Sequence, residues 1–346
     1  MDQQQTPTAR LRGVPRRAFP RIGRPRTARA PAAPDEEPRG EPRPETVETT
    51  TMRWINIDEP RLADRQWLAE TFAFHELDLE DVASHNQRPK LDEYDEYLFL
   101  VMQFPRFERD RTRLQAVELD IFVGPDFVIT LPNEEILPLR ALFERVRARD
   151  DLREQLMSKG SGYLLYQILD RSVDASFPML GQLGRKLRRL EDDIFEGGGS
   201  TGIVRELSNA KQAIINFRAI IRPQRAVFRA LERAKQRHFT EELDIYFDDL
   251  TDASERIWDV LENFMEILAG LESTNESVLS HRLNDVLRVL TAFSVILLPL
   301  TLIGTIFGMN TPVPGEGSPV AFWIILALML LILGVMVAFF RRRGWL

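Results

Sequence analysis

The sequence predicts a cytosolic α/β domain, then long α-helices, and finally two transmembrane helices at the C-terminus. Two charge-free apolar runs, residues 289–307 and 320–340, are 19 and 21 residues long. At about 1.5 Å of rise per residue, each reaches about 30 Å as a helix, which is the thickness of a bilayer's hydrocarbon core. Upstream of them lies a long helical pattern without a breaker, and strand-like segments fill the N-terminal half.

Composition excludes several classes of protein. The chain of 346 residues has a net charge of −7, and residues 1–50 contain ten arginines against seven acidic residues. The remainder therefore has 35 Lys/Arg against 45 Asp/Glu, a net charge of −10. An acidic folded part argues against nucleic acid as a partner. The absence of cysteine excludes thiolate metal sites, and the four histidines show no metal-ligand spacing.

The N-terminal half predicts a tail followed by the α/β domain. Nine prolines and few large apolar residues in residues 1–50 are typical of a disordered segment. The stretch "MRWINID" predicts a strand, "ADRQWLAETFAF" a helix, and "YLFLVMQFPRF" another strand. Two further strands form a hairpin around Gly124, Pro125 and Asp126. We find no phosphate-binding loop and no catalytic triad pattern, so neither an enzyme nor an organic cofactor is predicted.

The middle of the chain predicts helices over about residues 163–196, 203–237 and 241–307, the last passing into the membrane. Apolar residues three and four apart predict a packing seam on this long helix. Acidic residues on another face form what we call the acidic ridge. This ridge is either a solvated surface or a means of gathering cations. Its members are Glu241, Asp244, Asp248, Asp252, Glu255, Asp259, Glu262 and Glu266.

Charge placement predicts the orientation of the two spans. Arg282 and Arg288 precede the first span, and three arginines, residues 341–343, follow the second. The connecting loop has Glu316 as its only charge. The positive-inside rule therefore places both ends of the protein in the cytoplasm and the loop outside, in the plasma or inner membrane.

Polar and small residues follow one face of the first span, and we call them the polar stripe. Polar groups are costly in contact with lipid, so the stripe indicates either a water-filled pore or a helix–helix contact. A single helix cannot enclose a pore, so the first interpretation requires an oligomer. The polar stripe consists of Asn284, Leu287, Thr291, Ser294, Leu298, Thr301 and Thr305.

The motif Gly308-Met309-Asn310 at the end of the first span resembles that of the CorA family of divalent-cation channels. The preceding "PLTLIGTIFGMN", the C-terminal "RRRGWL" and "LEDVASHNQRPKLDEYDEYLFLVM" at residues 79–102 are also similar to that family, and the resemblance covers residues 52–346. It departs in the loop after the motif, which reads "TPVPGEGSPV". Glu316 is the candidate for an outer ring of charge in this loop.

The resemblance implies a funnel-shaped homopentamer in the bilayer that conducts Mg²⁺, and also Co²⁺ and Ni²⁺, down the electrochemical gradient. It makes residues 308–310 the selectivity filter. It also implies regulatory Mg²⁺ bound by Glu80 and Asp81 from one subunit and Asp249 from its neighbour, which holds the channel closed. The implied pore-lining residues are Asn284, Leu287, Leu290, Thr291, Ser294, Leu298, Thr301 and Thr305.

Three alternatives stay open. A zinc transporter of the ZntB type has the same architecture, and Met309 favours the magnesium branch over it. A membrane-anchored sensor or scaffold needs no polar stripe, and a metal-dependent hydrolase lacks a motif. The predicted segments are the tail 1–50, the α/β domain 51–162, an antiparallel helical hairpin 163–240, the long helix 241–307, the filter and loop 308–319, the second span 320–340 and the basic end 341–346.

Overall fold

The computed structural model describes residues 40–84, 87–107, 114–196, 201–239, 242–309 and 319–345. The six strands within these residues are β1 (Glu45–Glu48), β2 (Arg53–Asn56), β3 (Lys90–Glu93), β4 (Leu98–Phe107), β5 (Leu114–Val123) and β6 (Phe127–Pro132). The helices are α1 (Leu62–Thr71), α2 (Glu76–Ala83), α3 (Leu137–Ala148), α4 (Asp150–Met157), α5 (Ser161–Asp174), α6 (Ser176–Phe195), α7 (Thr201–His238), α8 (Asp244–Phe307) and α9 (Pro319–Arg342).

The six strands form one sheet in the order β1-β2-β6-β5-β4-β3. Strands β2 and β6 pair in parallel, and every other pair is antiparallel. The predicted hairpin is confirmed, since β5 and β6 pair from Val123 and Val128 outward. Pairing aligns Lys90 with Val101, and Val101 with Asp120, so these three residues lie on the same face of the sheet.

Both faces of the sheet are buried, which explains why β4 reads as an apolar run and not as an alternating strand. Leu98, Leu100 and Met102 point into the larger core, which includes residues of α3–α8. Phe99 and Val101 point into a smaller core with Leu68 of α1 and Val82 of α2. Helices α1 and α2 cover this second face, and the same layer carries the acidic residues described below.

The predicted tail of residues 1–50 is too long, because β1 lies within it. Val47 is buried, and the backbone N–H of Arg43 donates to Asp64 at 2.7 Å. Glu45 also forms ion pairs with Arg140 and Arg147 of α3. The sequence of β1, "ETVE", is short and has a single apolar residue. The strand is therefore held by partners distant in sequence, which local pattern does not reveal.

Two connected helices replace the single helix predicted over residues 163–196. Helix α5 ends at Asp174 and α6 begins at Ser176, with Ala175 between them. Pro178 in the first turn of α6 has no N–H to donate to the end of α5, so it favours the start of a new helix. The third helical pattern is continuous: α8 runs through 64 residues, with Pro299 inside it.

The acidic ridge of α8 is partly neutralised within the chain. Glu255 accepts from Arg225 and Arg229 of α7, and Glu262 lies 3.6 Å from Arg218. The Arg218 and Arg225 guanidinium groups also lie 4.7 and 5.0 Å from the ring centroid of Trp258. These members of the ridge bind α7 to α8. The predicted seam on the opposite side, from Phe247 to Leu271, packs into the larger core.

Helix α9 packs against a narrow strip of α8. Ala292, Ile296 and Phe340 are buried in this contact, with Leu333 and Trp345 beside them. Both helices are long and apolar enough to cross a membrane. Most of their large apolar side chains are exposed in the single chain. Such surfaces are stable in lipid or against further copies of the same helix.

Candidate ion pathway and regulatory carboxylates

The polar stripe lies on the part of α8 that α9 leaves uncovered. All seven of its residues are exposed, and so is Leu290. Leu298, for example, is 67% exposed, while Ile296 at the α9 contact is 4% exposed. The stripe therefore does not contact the second span of the same chain. A contact with α8 of other copies and a water-filled pore are both compatible with this exposure.

Three hydroxyl groups of the stripe donate to the helix backbone. Ser294 donates to the carbonyl of Leu290 at 2.9 Å, Thr301 to Leu298 at 2.9 Å, and Thr305 to Thr301 at 2.7 Å. Each hydroxyl proton is thus satisfied inside the helix. The oxygen lone pairs point outward and can accept hydrogen bonds from water. A ring of such oxygens suits a hydrated cation, whose bound waters present protons.

Helix α8 ends at Phe307, directly before the predicted filter. The N–H of Gly308 donates to Gly304 at 3.0 Å, and Met309 is 56% exposed. Gly308 has φ −90°, a backbone conformation that does not require glycine. A Cβ at Gly308 would lie 3.0 Å from the Gly304 oxygen, which is a closer contact than most side chains tolerate. Asn310 and Glu316 lie outside the described residues.

Asp81 has neighbours that the sequence interpretation missed. One carboxylate oxygen from each of Asp78, Asp81 and Asp92 lies within 4.8 Å of the others. The Lys90 ammonium lies 2.6 Å from Asp81 and also binds Asp92. Burial lowers the pKa of Lys90, but its hydrogen bonds to these two carboxylates outweigh burial and raise it. The lysine is therefore charged.

Asp249 lies in a second acidic group, on the contact between α8 and α5. It accepts from the Tyr166 hydroxyl at 3.2 Å. Burial, followed by the nearby charges of Asp174 and Asp249, raises the pKa of Asp170 to about 6. These three carboxylates therefore share a field that would favour a cation. Within the described part of one chain, Asp249 is not among the carboxylates grouped with Asp81, and Glu80 is exposed.

Sequence spacing contains a partial signal for the residues that were missed. Asp170 and Asp174 are four apart on α5, and Asp78 and Asp81 are three apart on α2, so each pair shares a helix face. Asp170 also directly follows the buried Ile168 and Leu169. No local pattern, however, indicates that Lys90 reaches Asp81, because the pairing of β3 under α2 is a tertiary contact.

Asp120 is a buried carboxyl group in the same layer. It is 2% exposed, and its Oδ1 has no hydrogen-bond partner. Burial, and then the charges of Glu118 and Asp81, raise the pKa of Asp120 well above its usual range, against the opposing effect of Lys90. The raised pKa favours the protonated carboxyl group in the folded chain, so Asp120 destabilises the fold at pH values where the unfolded chain has released this proton.

Replacing Asp120 by asparagine is expected to stabilise the protein at pH 7 by about 1–2 kcal/mol, because asparagine needs no proton to enter the core. Below about pH 4 both states of the wild type hold the proton, so the difference disappears. As pH rises, the unfolded chain releases the proton while the folded chain retains it, so wild-type stability falls. Thermal unfolding of the full chain in detergent from pH 4 to 8 measures this. Equal midpoints for both proteins at every pH would contradict it, and the exposed Asp126→Asn variant is the control.

The comparisons with known proteins identify the family. The model of the family described as "CorA-like Mg²⁺ transporter protein" matches residues 49–342. The cobalt/magnesium transport protein CorA of Thermotoga maritima is 29% identical over 306 residues, 86% of this chain and 85% of its own. The zinc transport protein ZntB of Yersinia pseudotuberculosis is 22% identical and covers 85% of this chain and 88% of its own. The solved structure of the Methanocaldococcus jannaschii CorA magnesium transporter matches with a TM-score of 0.76 at 23% identity, covering 87% of this chain and 93% of that one.

The α/β domain, the 64-residue helix that contains the first apolar span, and the second apolar helix are those of a membrane transport protein. The chain belongs to the CorA-like Mg²⁺ transporter family, as the resemblance at residues 308–310 predicted. The N-terminal α/β domain, the long helices and the two C-terminal apolar helices match the solved CorA structure, so the predicted fold class is confirmed.

Proposed function

We propose that five copies of this chain form a channel through which Mg²⁺, and also Co²⁺ and Ni²⁺, enter the cell down the electrochemical gradient. The exposed polar stripe of α8, beside the buried α9 contact, is the observation that carries this proposal. A polar face of this length is costly in lipid, so it requires either water or copies of itself. A ring of α8 helices with α9 outside would place the polar faces next to one another around a water-filled centre.

The chemistry of the stripe fits a hydrated cation. Mg²⁺ gives up its waters reluctantly, so a pathway for it has to accept those waters and not replace them. Hydroxyl oxygens of Ser294, Thr301 and Thr305 are oriented as acceptors by their bonds to the backbone. Leu287, Leu290 and Leu298 lie between the polar positions, and in a closed pore they would exclude water. Asn284 would form a polar ring at the cytoplasmic end.

Selectivity belongs to the segment that follows α8. The amide of Asn310 is neutral and accepts hydrogen bonds from first-shell waters. A ring of amides would therefore attract a hydrated cation without the deep trap that carboxylates create, and conduction requires that the ion also leaves. Met309 is assigned to packing, and Gly308 to the end of α8, where a side chain would come too close to the Gly304 carbonyl. Glu316 is the candidate for an outer charged ring.

Regulation is assigned to the carboxylates of the cytosolic part. Mg²⁺ bound between Asp81 with Glu80 on one subunit and Asp249 on the next would relieve their mutual repulsion and hold the closed form. Asp170 and Asp174 lie beside Asp249 and extend this proposed site. The N- and C-termini are assigned to the cytoplasm, where the regulatory carboxylates meet cytosolic Mg²⁺.

Ion flux tests the proposal. The purified full chain in proteoliposomes is expected to take up Mg²⁺, Co²⁺ and Ni²⁺ when a membrane potential is imposed, without need of a proton gradient. Empty liposomes and an Asn310→Ala variant are the controls. No flux of any of these ions would overturn the channel and favour a membrane-anchored sensor or scaffold.

A zinc transporter is the second candidate, because ZntB of Yersinia pseudotuberculosis matches over 85% of this chain. Zn²⁺ is therefore compared in the same flux experiment with and without a proton gradient. Zn²⁺ uptake that exceeds Mg²⁺ uptake and depends on that gradient would move the assignment to zinc.

A further inference from the structure

Lys90 places a positive charge on the carboxylate that the proposed function assigns to Mg²⁺. Its ammonium lies 2.6 Å from Asp81 Oδ2, and it also binds Asp92. The Lys90 side chain is 33% exposed and that of Asp81 is 21% exposed, so the pair lies at the edge of the domain. A cation arriving from solvent can therefore reach Asp81, but it finds the carboxylate occupied.

The fold, and not chance contact, brings the lysine there. Lys90 and Asp92 are two apart on β3, so their side chains leave the same face of the strand. That face is covered by α2, which carries Asp78 and Asp81 on one side. The Lys90 nitrogen also lies 5.4 Å from the centroid of the Phe99 ring, which is within the range of a cation–π contact. The position is thus built from three elements, β3, β4 and α2.

Lys90 has a second carboxylate partner besides Asp81. Asp92 binds the same ammonium, and it lies on the same strand as Lys90. When Asp81 binds another cation, Lys90 keeps Asp92 as a carboxylate partner, so the exchange does not leave the lysine charge unpaired. Asp78, another nearby acid, is buried and accepts from the hydroxyls of Tyr94 and Tyr97 at 3.0 and 2.8 Å.

We propose that Lys90 is a built-in competitor of Mg²⁺ at Asp81 and so sets the cytosolic Mg²⁺ level at which the channel closes. The inference rests on the proposed regulatory function of Asp81. A tethered group has an effective concentration of about millimolar or more, so Mg²⁺ must displace the ammonium before it can bridge two subunits. Lys90 then rests on Asp92. The lysine acts as a specificity-determining residue for the closing signal, since a weakly held cation cannot displace it.

The test compares the full chain with Lys90→Gln, which removes the charge but keeps a flexible polar side chain. Flux in proteoliposomes is measured against Mg²⁺ on the cytosolic side, and Mg²⁺ binding is measured by calorimetry in detergent. Lys90→Gln is expected to lower the Mg²⁺ concentration for half inhibition about two- to fivefold, the size appropriate to a partly exposed ion pair. Lys211→Gln, which removes a comparably exposed pair with Glu272, is the matched control and should not move the curve.

A second variant is expected to shift the Mg²⁺ concentration for half inhibition in the opposite direction. Asp92→Asn removes the other partner of Lys90, so the ammonium stays on Asp81 and more Mg²⁺ is needed for inhibition. Lys90→Arg keeps the charge and should stay near the wild type. If Lys90→Gln fails to assemble, the Asp92→Asn variant still decides, because its half-inhibition concentration should rise while that of the Lys211→Gln control stays at the wild-type value.

Two outcomes overturn the inference, and they differ in what else they affect. If Mg²⁺ inhibits the wild type and both Lys90→Gln and Asp92→Asn give the wild-type curve, the competitor role is wrong and the proposed function stands. If Mg²⁺ does not inhibit the wild type at all, the regulatory part of the proposed function fails with it.

Discussion

Replacing Asn310 by alanine is expected to lower Mg²⁺ flux by about 10- to 100-fold, the loss typical of a group that holds a metal through its outer ligands. Alanine removes the ring of amide oxygens that would accept hydrogen bonds from the hydration shell. The helix that leads to this position ends at Phe307, outside the contact with α9, so the substitution is expected to leave folding unchanged.

The control for Asn310 is its neighbour. Met309→Leu keeps an apolar side chain of similar volume, and it should conduct nearly as the wild type does. Asn310→Asp retains oxygen acceptors but adds charge to every subunit, so it should bind divalent cations more tightly and release them more slowly. Flux and size-exclusion profiles are measured for all three variants. Normal flux through a correctly assembled Asn310→Ala protein would rule out the filter assignment.

The double variant Asp81→Asn with Asp249→Asn is expected to raise the Mg²⁺ concentration for half inhibition by about tenfold or more. Each lost carboxylate weakens a hydrated Mg²⁺ site by about 1 kcal/mol at a partly exposed position. The Tyr166 hydroxyl can still donate to the amide oxygen at residue 249, so the α5–α8 contact is retained. Uptake at low Mg²⁺ should therefore continue.

A matched pair of substitutions controls for loss of charge. Glu76→Gln on α2 and Asp248→Asn on α8 remove the same number of charges from exposed positions on the same two helices. Their inhibition curve should lie close to that of the wild type. If this pair shifts the curve as far as the Asp81 and Asp249 pair does, inhibition reports total charge and no regulatory site exists at these residues. The shift expected of the Asp81 and Asp249 double variant is also opposite in sign to that of Lys90→Gln, which lowers the Mg²⁺ concentration for half inhibition.

The parts predicted well are those in which neighbouring residues determine the outcome. Charge-free runs identify the two apolar helices, since the length of a span and its composition are both local. The three- and four-residue spacing from Phe247 to Leu271 identified the buried seam of α8. The missed strand β1 and the break at Ala175 show the limit. Val47 is a single apolar residue, and its strand exists because β2 and α3 bind it.

The candidate sites divide in the same way. The positions of the polar stripe follow from helical periodicity alone, and so does their common face. Which face α9 covers was not predictable, since it depends on how two apolar helices pack through Ala292, Ile296 and Phe340. Which members of the acidic ridge form ion pairs was also not predictable from the sequence. Its Glu255 and Glu262 bind arginines of α7, which lie more than 25 residues earlier in the chain.

The sequence by itself therefore determined the family, the order of domain and spans, the polar stripe and the position of the Gly-Met-Asn motif, because each is a pattern along the chain. Only the tertiary structure decided that the stripe is left open by α9, that Asp170 joins Asp249, and that Lys90 occupies Asp81. These are contacts between elements far apart in sequence. Their energies depend on distance and burial in three dimensions, which residue spacing does not specify.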